Sequence, residues 1–208
     1  MNAAIDQVYA VILAAGAASR MGSPKQLLAW QERPLLAHAI ASARAVLTER
    51  VVVVLGAYSH AIQTAMELNE VVVAHNPQWD QGMASSIQVG IQALPASASA
   101  VLLMLCDQPL INNAHLQNLL QAWQHAPERI VVTQYADSFG VPAVFPAGFF
   151  AQLLQLSGDR GAKSLLMHLE DTLVKLPLQE AALDIDTPGD YQRLQAYKAD
   201  IVDDAGTV

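Results

Sequence analysis

The chain has 208 residues, of which 53% are hydrophobic and 14% are charged, and its formal net charge is -8. This composition predicts a folded domain with a sizeable core, and the negative charge argues against a general nucleic-acid binder, which needs a basic face. No apolar run approaches the roughly 20 residues that cross a bilayer, the start lacks a secretion signal, and the single Cys106 suits a reducing compartment. We therefore expect a cytoplasmic protein with no membrane and no nucleic-acid partner.

Short apolar segments alternate with amphipathic segments over the first two thirds of the chain. The apolar segments are rich in β-branched residues, as in the strands of a parallel sheet covered on both faces, and they are Val8–Leu13, Val51–Leu55, Val71–Ala74, Val101–Leu105 and Ile130–Thr133. The segments with helical spacing are Pro34–Leu47, Ser59–Leu68, Ala84–Leu94 and Asn113–Trp123. This alternation predicts an open α/β sheet with right-handed crossovers.

The pattern is less regular after Thr133. Residues 134–140 are polar and turn-rich, and the elements expected after them are a strand at Val141–Phe145, a helix at Ala147–Leu156, a loop and helix within Gly158–Leu169, a strand at Leu173–Leu176 and a helix at Gly189–Lys198. Thr187 is a suitable cap for the last helix. Since no linker divides the chain, we expect one domain over residues 1–199 and a frayed acidic tail over residues 200–208.

The first predicted strand runs into a glycine-rich loop, Leu13–Lys25, with the sequence L-A-A-G-A-A-S-R-M-G-S-P-K. Small residues let a ligand approach the backbone, and consecutive N–H groups in such a turn bind anions. Arg20 and Lys25 add positive charge beyond the carboxyl end of a strand, where ligands bind in open α/β sheets. The spacing differs from both G-x-G-x-x-G and the P-loop. It predicts a phosphate-binding loop, the alternative being a tight strand-to-helix turn with solvated charges.

Two acidic residues lie at predicted strand ends. Asp107 follows the strand at Val101–Leu105, where a carboxylate costs several kcal/mol to desolvate unless it has a partner. It is a candidate Mg²⁺ ligand, with a helix-capping acid as the alternative. Asp186 precedes Thr187-Pro188 and by itself fits an acid at a helix N-terminus equally well. Asp184 is expected to point to the opposite face of its segment.

The loop resembles the L-A-A-G-x-x-x-R-M-G-x-x-K loop of the MobA-like nucleotidyltransferase family, which includes the molybdenum cofactor enzymes. Five further segments match in order, which makes the resemblance far more specific than one loop. They are Asn76–Ile87, which resembles the N-x-x-W-x-x-G-M-x-x-S segment of the cytidylyltransferase branch, Asp107–Pro109 (D-x-P), Gly140–Ala143 (G-x-P-A), Gly158–Lys163 (G-D-x-G-A-R, with Lys in place of Arg) and Asp184–Pro188 (D-I-D-T-P).

The resemblance implies a three-layer α/β/α fold with a Rossmann-like, mostly parallel sheet of the nucleotide-diphospho-sugar transferase type. It implies a nucleotide-binding half over residues 1–133 and an acceptor-binding half over residues 134–199. The implied substrates are CTP and molybdopterin, and the implied metal is Mg²⁺, with Mn²⁺ as an alternative, held by Asp107 and Asp186. By the same analogy, a molybdenum hydroxylase apo-enzyme is a candidate partner.

The resemblance also assigns the candidate site residues. Arg20, Lys25 and Asp107 are the expected catalytic residues. The expected nucleotide-binding residues are Leu13, Ala14, Ala15, Gly16, Arg20, Lys25, Gly82, Ser85 and Ser86. The expected acceptor-binding residues are Gly140, Pro142, Gly158, Arg160 and Lys163.

The expected reaction is nucleotidyl transfer to a phosphate monoester with loss of pyrophosphate. Such an acceptor is already anionic near neutral pH, because its second pKa is about 6, so no general base is needed. The alternatives on the same fold are guanylyl transfer to molybdopterin and transfer to a phosphosugar. A nucleotide-binding cofactor chaperone and a glycosyltransferase with Asp184-Ile185-Asp186 as its metal motif are more distant alternatives.

Overall fold

The computed structural model describes residues 5–18 and 20–204, so Ser19 of the glycine-rich loop and residues 205–208 of the expected tail lie outside the described residues. The strands in this part of the chain are β1 (Val8–Ala14), β2 (Ala29–Trp30), β3 (Arg33–Pro34), β4 (Val51–Leu55), β5 (Val72–His75), β6 (Ala100–Leu105), β7 (Val131–Tyr135), β8 (Ser138–Pro146) and β9 (Val174–Pro177). The helices are α1 (Leu35–Leu47), α2 (Ser59–Ala65), α3 (Met83–Gln92), α4 (Asn113–His125), α5 (Phe150–Leu154), α6 (Lys163–His168) and α7 (Pro188–Asp204).

Seven strands form one sheet in the order β5-β4-β1-β6-β8-β7-β9, and β2 pairs with β3 in a small hairpin. Of the strands described in the large sheet, only β8 runs antiparallel to its neighbours. β1 lies between β4 and β6, with Leu13 opposite both Val54 and Leu105. The ends of β1 and β6 therefore meet at one edge of the sheet, where the glycine-rich loop and Asp107 follow them.

Helices cover both faces of the sheet, and the side chains of β1 alternate between the two cores that result. Ile12 and its even-numbered neighbours pack with α1, α2 and α4, while Val11 and Leu13 pack with α3, α5 and α6. A third, smaller cluster joins Trp30 of the hairpin to Leu194 of α7. These layers and the mostly parallel sheet confirm the predicted α/β/α, Rossmann-like fold class.

The largest differences from the predicted elements lie in the second half of the chain. The turn-rich segment 134–140 belongs to a hairpin, because β7 continues to Tyr135 and β8 begins at Ser138. Helix α5 is shorter than expected, because the segment before it is a 3-10 turn, whereas α6 lies within the expected loop-and-helix segment Gly158–Leu169. Helix α7 continues to Asp204, past the start of the expected fraying.

Side chains cap two helices, and the predicted Thr187 cap is one of them. The Asn112 side chain accepts a hydrogen bond from the backbone N–H of His115 at 2.9 Å and so caps α4. The Thr187 hydroxyl accepts from the backbone N–H of Asp190 at 3.3 Å at the start of α7. Among residues 5–18 and 20–204, no helix combines the length and apolar character needed to span a membrane.

Candidate active site

The loop after β1 forms one wall of a cleft of ≈ 400 Å³. Leu13, Ala14, Ala15 and Gly16, all expected nucleotide-binding residues, line this cleft. Gln26 fixes the loop, because its side-chain amide donates to the carbonyls of Ala14 at 2.9 Å and Gly16 at 3.0 Å. We define this space as the nucleotide cleft. It places small residues and backbone groups beside the strand end, as the sequence predicts.

Gln26 is a site residue that the sequence does not single out. It is 1% exposed, and its side-chain oxygen is buried without a hydrogen-bond partner in the described part of the chain. A buried amide with two donated hydrogen bonds holds a loop in one conformation. Its position directly after Lys25 is the signal that could have drawn attention to it.

Four charged residues from three separate parts of the chain meet at the mouth of the nucleotide cleft. The Lys25 ammonium donates to one carboxylate oxygen of Asp107 and, at 3.0 Å, to one of Asp186. Arg20 donates to the other oxygen of Asp186 at 2.9 Å. Asp107 is buried, whereas the Arg20 side chain is 68% exposed. One cation therefore contacts both acids that were expected to share a metal ion.

A backbone hydrogen bond holds the segment that carries Asp186 beside Asp107. The N–H of Ile185 donates to the carbonyl of Asp107 at 3.0 Å, and the Ile185 side chain is fully buried. The Asp190 carboxylate then accepts from the backbone N–H groups of Asp186 and Thr187, at 3.2 and 2.7 Å. These bonds fix the turn before α7, so Asp186 faces Lys25.

The pKa values of the neighbouring groups follow from burial and from this charge cluster. Burial alone would lower the pKa of Lys25, but the adjacent Asp107 carboxylate and the hydrogen bonds to both acids raise it above its ordinary value. Burial raises the pKa of the Cys106 thiol to about 12, so the thiol stays protonated and is a poor nucleophile. Partial desolvation and the charge of Asp107 raise the pKa of Asp184 to about 6.

The two acids suit a divalent cation bound together with a substrate. One oxygen of Asp107 is buried and has no hydrogen-bond partner among the described residues, which leaves a strong acceptor available for a cation. Mg²⁺ is usually held by one or two carboxylates together with substrate phosphates and water. No group of three or more His, Cys, Asp or Glu side chains in the described ranges could hold a metal by itself. The donor set therefore fits an ion that arrives with a nucleotide.

The opposite wall of the nucleotide cleft comes from the turn before α3. Gly82 has a φ of 98°, and a Cβ atom there would lie 2.6 Å from the Gly158 carbonyl carbon, so a side chain does not fit. Ser86 lines the cleft, while Ser85 donates to the carbonyl of Gln78 or Gly82 within the turn. Two of these three expected nucleotide-binding residues thus face the cleft, and Ser85 holds the turn.

Asn76 holds this wall in place through hydrogen bonds from its buried side chain. It is 2% exposed, and its side-chain amide donates to Ser85 at 2.9 Å and to Ser86 at 3.0 Å. Its side-chain oxygen accepts from the N–H of Gln78 at 2.9 Å. Asn76 was visible in the sequence only as the first residue of a resembling segment, and its supporting role depends on the tertiary structure.

A second, smaller cavity of ≈ 150 Å³ adjoins the nucleotide cleft, with which it shares Leu13, Met83 and Leu105. We call it the acceptor cavity. The expected acceptor residues Gly140, Arg160 and Lys163 line it.

The other two expected acceptor residues lie elsewhere. The carbonyl of Pro142 accepts from the Thr133 hydroxyl at 2.7 Å, and the residue is buried in β8, so its side chain does not line the acceptor cavity. Gly158 lies against the Gly82 turn, where its carbonyl accepts from the N–H of Ala84 at 3.1 Å. Gly158 therefore shapes the boundary with the nucleotide cleft rather than the acceptor cavity.

Known proteins are similar to this chain in sequence and in fold. A sequence profile of the MobA-like NTP transferase domain matches residues 10–173. The nicotine blue oxidoreductase of Paenarthrobacter nicotinovorans is 33% identical, over 90% of this chain and 96% of that protein. The molybdenum cofactor cytidylyltransferase of Escherichia coli K12 is 24% identical, over 87% of this chain and 92% of that protein.

A solved structure extends the comparison to the fold. The manganese complex of Rv0371c from Mycobacterium tuberculosis H37Rv superimposes with a TM-score of 0.75 and 31% identity, covering 90% of this chain and 97% of that chain. The resemblance read from the motifs is therefore confirmed, and the chain belongs to the MobA-like NTP transferase domain family.

Proposed function

We propose that the protein transfers CMP from CTP to the phosphate of molybdopterin, releasing pyrophosphate and forming the cytosine dinucleotide cofactor. The observation that carries the proposal is the contact of one ammonium, that of Lys25, with both Asp107 and Asp186 beside the glycine-rich loop. Nucleotidyl transfer requires groups that stabilise the negative charge of the phosphates, and the cluster contains two cations, Arg20 and Lys25. The choice of CTP and molybdopterin follows the similarity to the cytidylyltransferase and the motif at Asn76–Ile87.

The roles of the residues follow from their positions. Arg20, Lys25 and the N–H groups of the loop would hold the β- and γ-phosphates and stabilise the charge of the leaving pyrophosphate. The base would lie between Leu13–Ala15 and the turn that ends at Ser86. Mg²⁺, or Mn²⁺ as in the Rv0371c complex, would be held by Asp107 and Asp186 and would neutralise charge on the phosphates.

The transfer itself is an in-line displacement. An acceptor phosphate oxygen forms a bond to the α-phosphorus, and the bond from that phosphorus to the bridging oxygen of the β-phosphate breaks, so that pyrophosphate leaves with the electron pair. Because the acceptor is anionic near neutral pH, no side chain has to remove a proton. Catalysis then consists of alignment and charge stabilisation. Arg160 and Lys163 would hold the acceptor phosphate at the mouth of its cavity.

The deciding experiment is a panel of CTP, GTP, ATP and UTP, each with molybdopterin or glucose 1-phosphate, scored by pyrophosphate release in the presence of Mg²⁺. We expect release with CTP and molybdopterin and the cytosine dinucleotide as product. Preference for GTP would show that GTP, not CTP, is the donor. Preference for the sugar phosphate would show that the acceptor is not molybdopterin. Binding of nucleotides without turnover would instead favour a cofactor chaperone.

Oxidoreduction is a second candidate function, because the similarity to nicotine blue oxidoreductase covers 90% of this chain at 33% identity. It is tested by mixing the protein with nicotine blue and NADH or NADPH and following the blue absorbance. We expect no enzyme-dependent bleaching, since hydride transfer has no evident use for the cluster around Lys25. Rapid bleaching in the absence of any pyrophosphate release would favour oxidoreduction over nucleotidyl transfer.

Action in the cytoplasm and delivery to a molybdenum hydroxylase remain predictions.

A further inference from the structure

A tyrosine at the end of β7 belongs to the acceptor cavity but has no part in the function proposed so far. Tyr135 lines the cavity together with Gly140, Arg160 and Lys163. Its ring is partly buried against the core under α4. Within residues 5–18 and 20–204 its hydroxyl has no hydrogen-bond partner, although the phenol is half-buried. A half-buried hydroxyl without a protein partner can bind a ligand.

The glycine of the G-x-P-A segment makes room for this hydroxyl. Gly140 pairs with Thr133 across the hairpin, which makes it a diagonal neighbour of Tyr135. A Cβ atom at Gly140 would lie 2.8 Å from the Tyr135 oxygen, while the next nearest atom, Cζ of the same ring, would be 3.7 Å away. Gly140 does not have a positive φ, so its backbone accepts other residues. A methyl group there would therefore be too close only to the Tyr135 hydroxyl, which would have to move.

The chemistry of the cavity gives the hydroxyl a use. Aliphatic side chains, among them Ile87, Leu103 and Leu166, form most of the lining, and the cations Arg160 and Lys163 are exposed. Burial, together with the charge of Asp184, raises the pKa of Tyr135, so the phenol remains a neutral donor at physiological pH. A neutral donor can bind an anionic acceptor and adds no charge beside the carboxylates.

We infer that Tyr135 positions the phosphorylated acceptor by donating a hydrogen bond from its hydroxyl inside the acceptor cavity, and that Gly140 is glycine in order to keep that hydroxyl in place. This inference rests on the proposed function, because it concerns the acceptor of the same transfer. It assigns specificity for the acceptor to a side chain that lies outside the charged cluster.

The first test is Tyr135→Phe, with Tyr58→Phe as the matched control because Tyr58 does not line either cavity. With CTP and molybdopterin as substrates, we expect KM for molybdopterin to rise about tenfold, as for a lost hydrogen bond to a charged group, while KM for CTP changes less than about twofold. The control should match the wild type in both constants. A merely structural role would change both constants or neither, and either result would overturn the inference.

The second test is a double-mutant cycle with Gly140→Ala. In the wild-type background we expect Gly140→Ala to displace the hydroxyl and to raise KM for molybdopterin by about the same factor as Tyr135→Phe. In the Tyr135→Phe background the added methyl group meets no oxygen, so we expect less than about a twofold further change. Equal effects of Gly140→Ala in both backgrounds would contradict the proposed contact.

Direct binding separates this inference from the proposed function. Molybdopterin is titrated into wild type and Tyr135→Phe without CTP, and we expect about tenfold weaker binding by the variant. Wild-type binding without pyrophosphate release would reject the transfer reaction but leave the inference intact if the variant binds more weakly. Equal affinities of the two proteins, or no binding by the wild type, would reject the inference itself.

Discussion

The nucleotide cleft and the acceptor cavity lie side by side but are held in different ways. In the nucleotide cleft, buried amides of Gln26 and Asn76 fix both walls through hydrogen bonds of 2.9 to 3.0 Å. In the acceptor cavity, the Lys163 ammonium is exposed and contacts only the Ser138 hydroxyl among the described residues, at 3.0 Å. One site is set by buried polar groups, the other by aliphatic side chains and exposed cations.

This difference suggests where specificity can change. A wall fixed by buried hydrogen bonds tolerates few substitutions, because each bond left unmade costs about 1 to 3 kcal/mol. The exposed cations Arg160 and Lys163 can be exchanged at little cost to stability, because substitutions at the surface usually change it by about 0.5 kcal/mol or less. We therefore expect the handling of the triphosphate to be the constant part of the molecule and the acceptor to be the variable part.

The largest effect is expected at Asp107, which lines the nucleotide cleft. Asp107→Ala removes a proposed metal ligand and a partner of Lys25, and we expect kcat/KM to fall by at least about a thousandfold, or roughly 4 kcal/mol. The fold should persist, because Lys25 retains Asp186. Pyrophosphate release and circular dichroism measure the two outcomes. Asp171→Ala, at an exposed acid, is the control, and undiminished Mg²⁺-dependent turnover of Asp107→Ala would remove the metal proposal.

A direct contrast between the sites comes from their two lysines. Lys25→Ala should lower kcat/KM by about 3 to 4 kcal/mol, or a few hundredfold, since the proposed partner is the leaving group. Lys163→Ala should cost about 1 to 2 kcal/mol, because its charge is exposed and screened. Steady-state kinetics with both substrates varied measure these values. Equal losses in the two variants would contradict the assignment of Lys25 to the leaving group and of Lys163 to the acceptor phosphate.

The fixed loop can be tested without removing a charge. Gln26→Ala breaks the hydrogen bonds to Ala14 and Gly16, and we expect KM for the nucleotide to rise about tenfold while KM for the acceptor stays unchanged. Gln88→Ala is a suitable control, since Gln88 also donates to two carbonyls but lies outside both cavities. Equal increases in both KM values for Gln26→Ala would indicate general loosening of the fold.

The smallest effect concerns His115, a buried polar residue behind the acceptor side. His115 contacts the Thr133 hydroxyl at 2.8 Å, and Thr133 in turn donates to the carbonyl of Pro142, so the histidine is the donor. Burial lowers the pKa of His115, a shift that Glu180 partly opposes. His115 is therefore protonated near pH 6.5 in the unfolded chain, but only at a lower pH in the folded protein.

Stability should accordingly fall as the pH drops below 6.5, by at most about 1.4 kcal/mol per pH unit from this group. Urea unfolding at pH 7.5, 6.5 and 5.5 measures the slope. His115→Gln should flatten it, whereas His125→Gln, at an exposed histidine, should leave it unchanged. An identical slope in wild type and His115→Gln would show that other groups cause the pH dependence.

Much of the fold could be predicted from the sequence, because the strands of a sheet covered on both faces are unmistakably apolar. Val51–Leu55 was predicted with the bounds that the structure gives it. The β7–β8 hairpin was missed, since Gln134, Asp137 and Ser138 are polar and read as a turn, whereas pairing with a neighbouring strand made part of the segment β-structure.

The candidate site was predictable to the extent that its residues carry charge or lie in glycine-rich turns. Arg20, Lys25, Asp107 and Asp186 were all named, and the structure brings them together, although their roles remain proposals. Residues that act through tertiary contacts were not predictable. Gln26 has an ordinary amide side chain until the fold places two carbonyls beside it, and Pro142 looked like a cavity residue only because its neighbours in the motif are.

The reversed direction of β8 has a consequence for how this molecule can diverge. Because β8 runs antiparallel to β6, its first residues and its connection to β7 lie at the edge of the sheet at which β1 and β6 end. Insertions at the tip of that hairpin would extend a rim over the acceptor cavity and leave the central strands in register. Changes in hairpin length thus offer a route to new acceptors that spares the charged cluster.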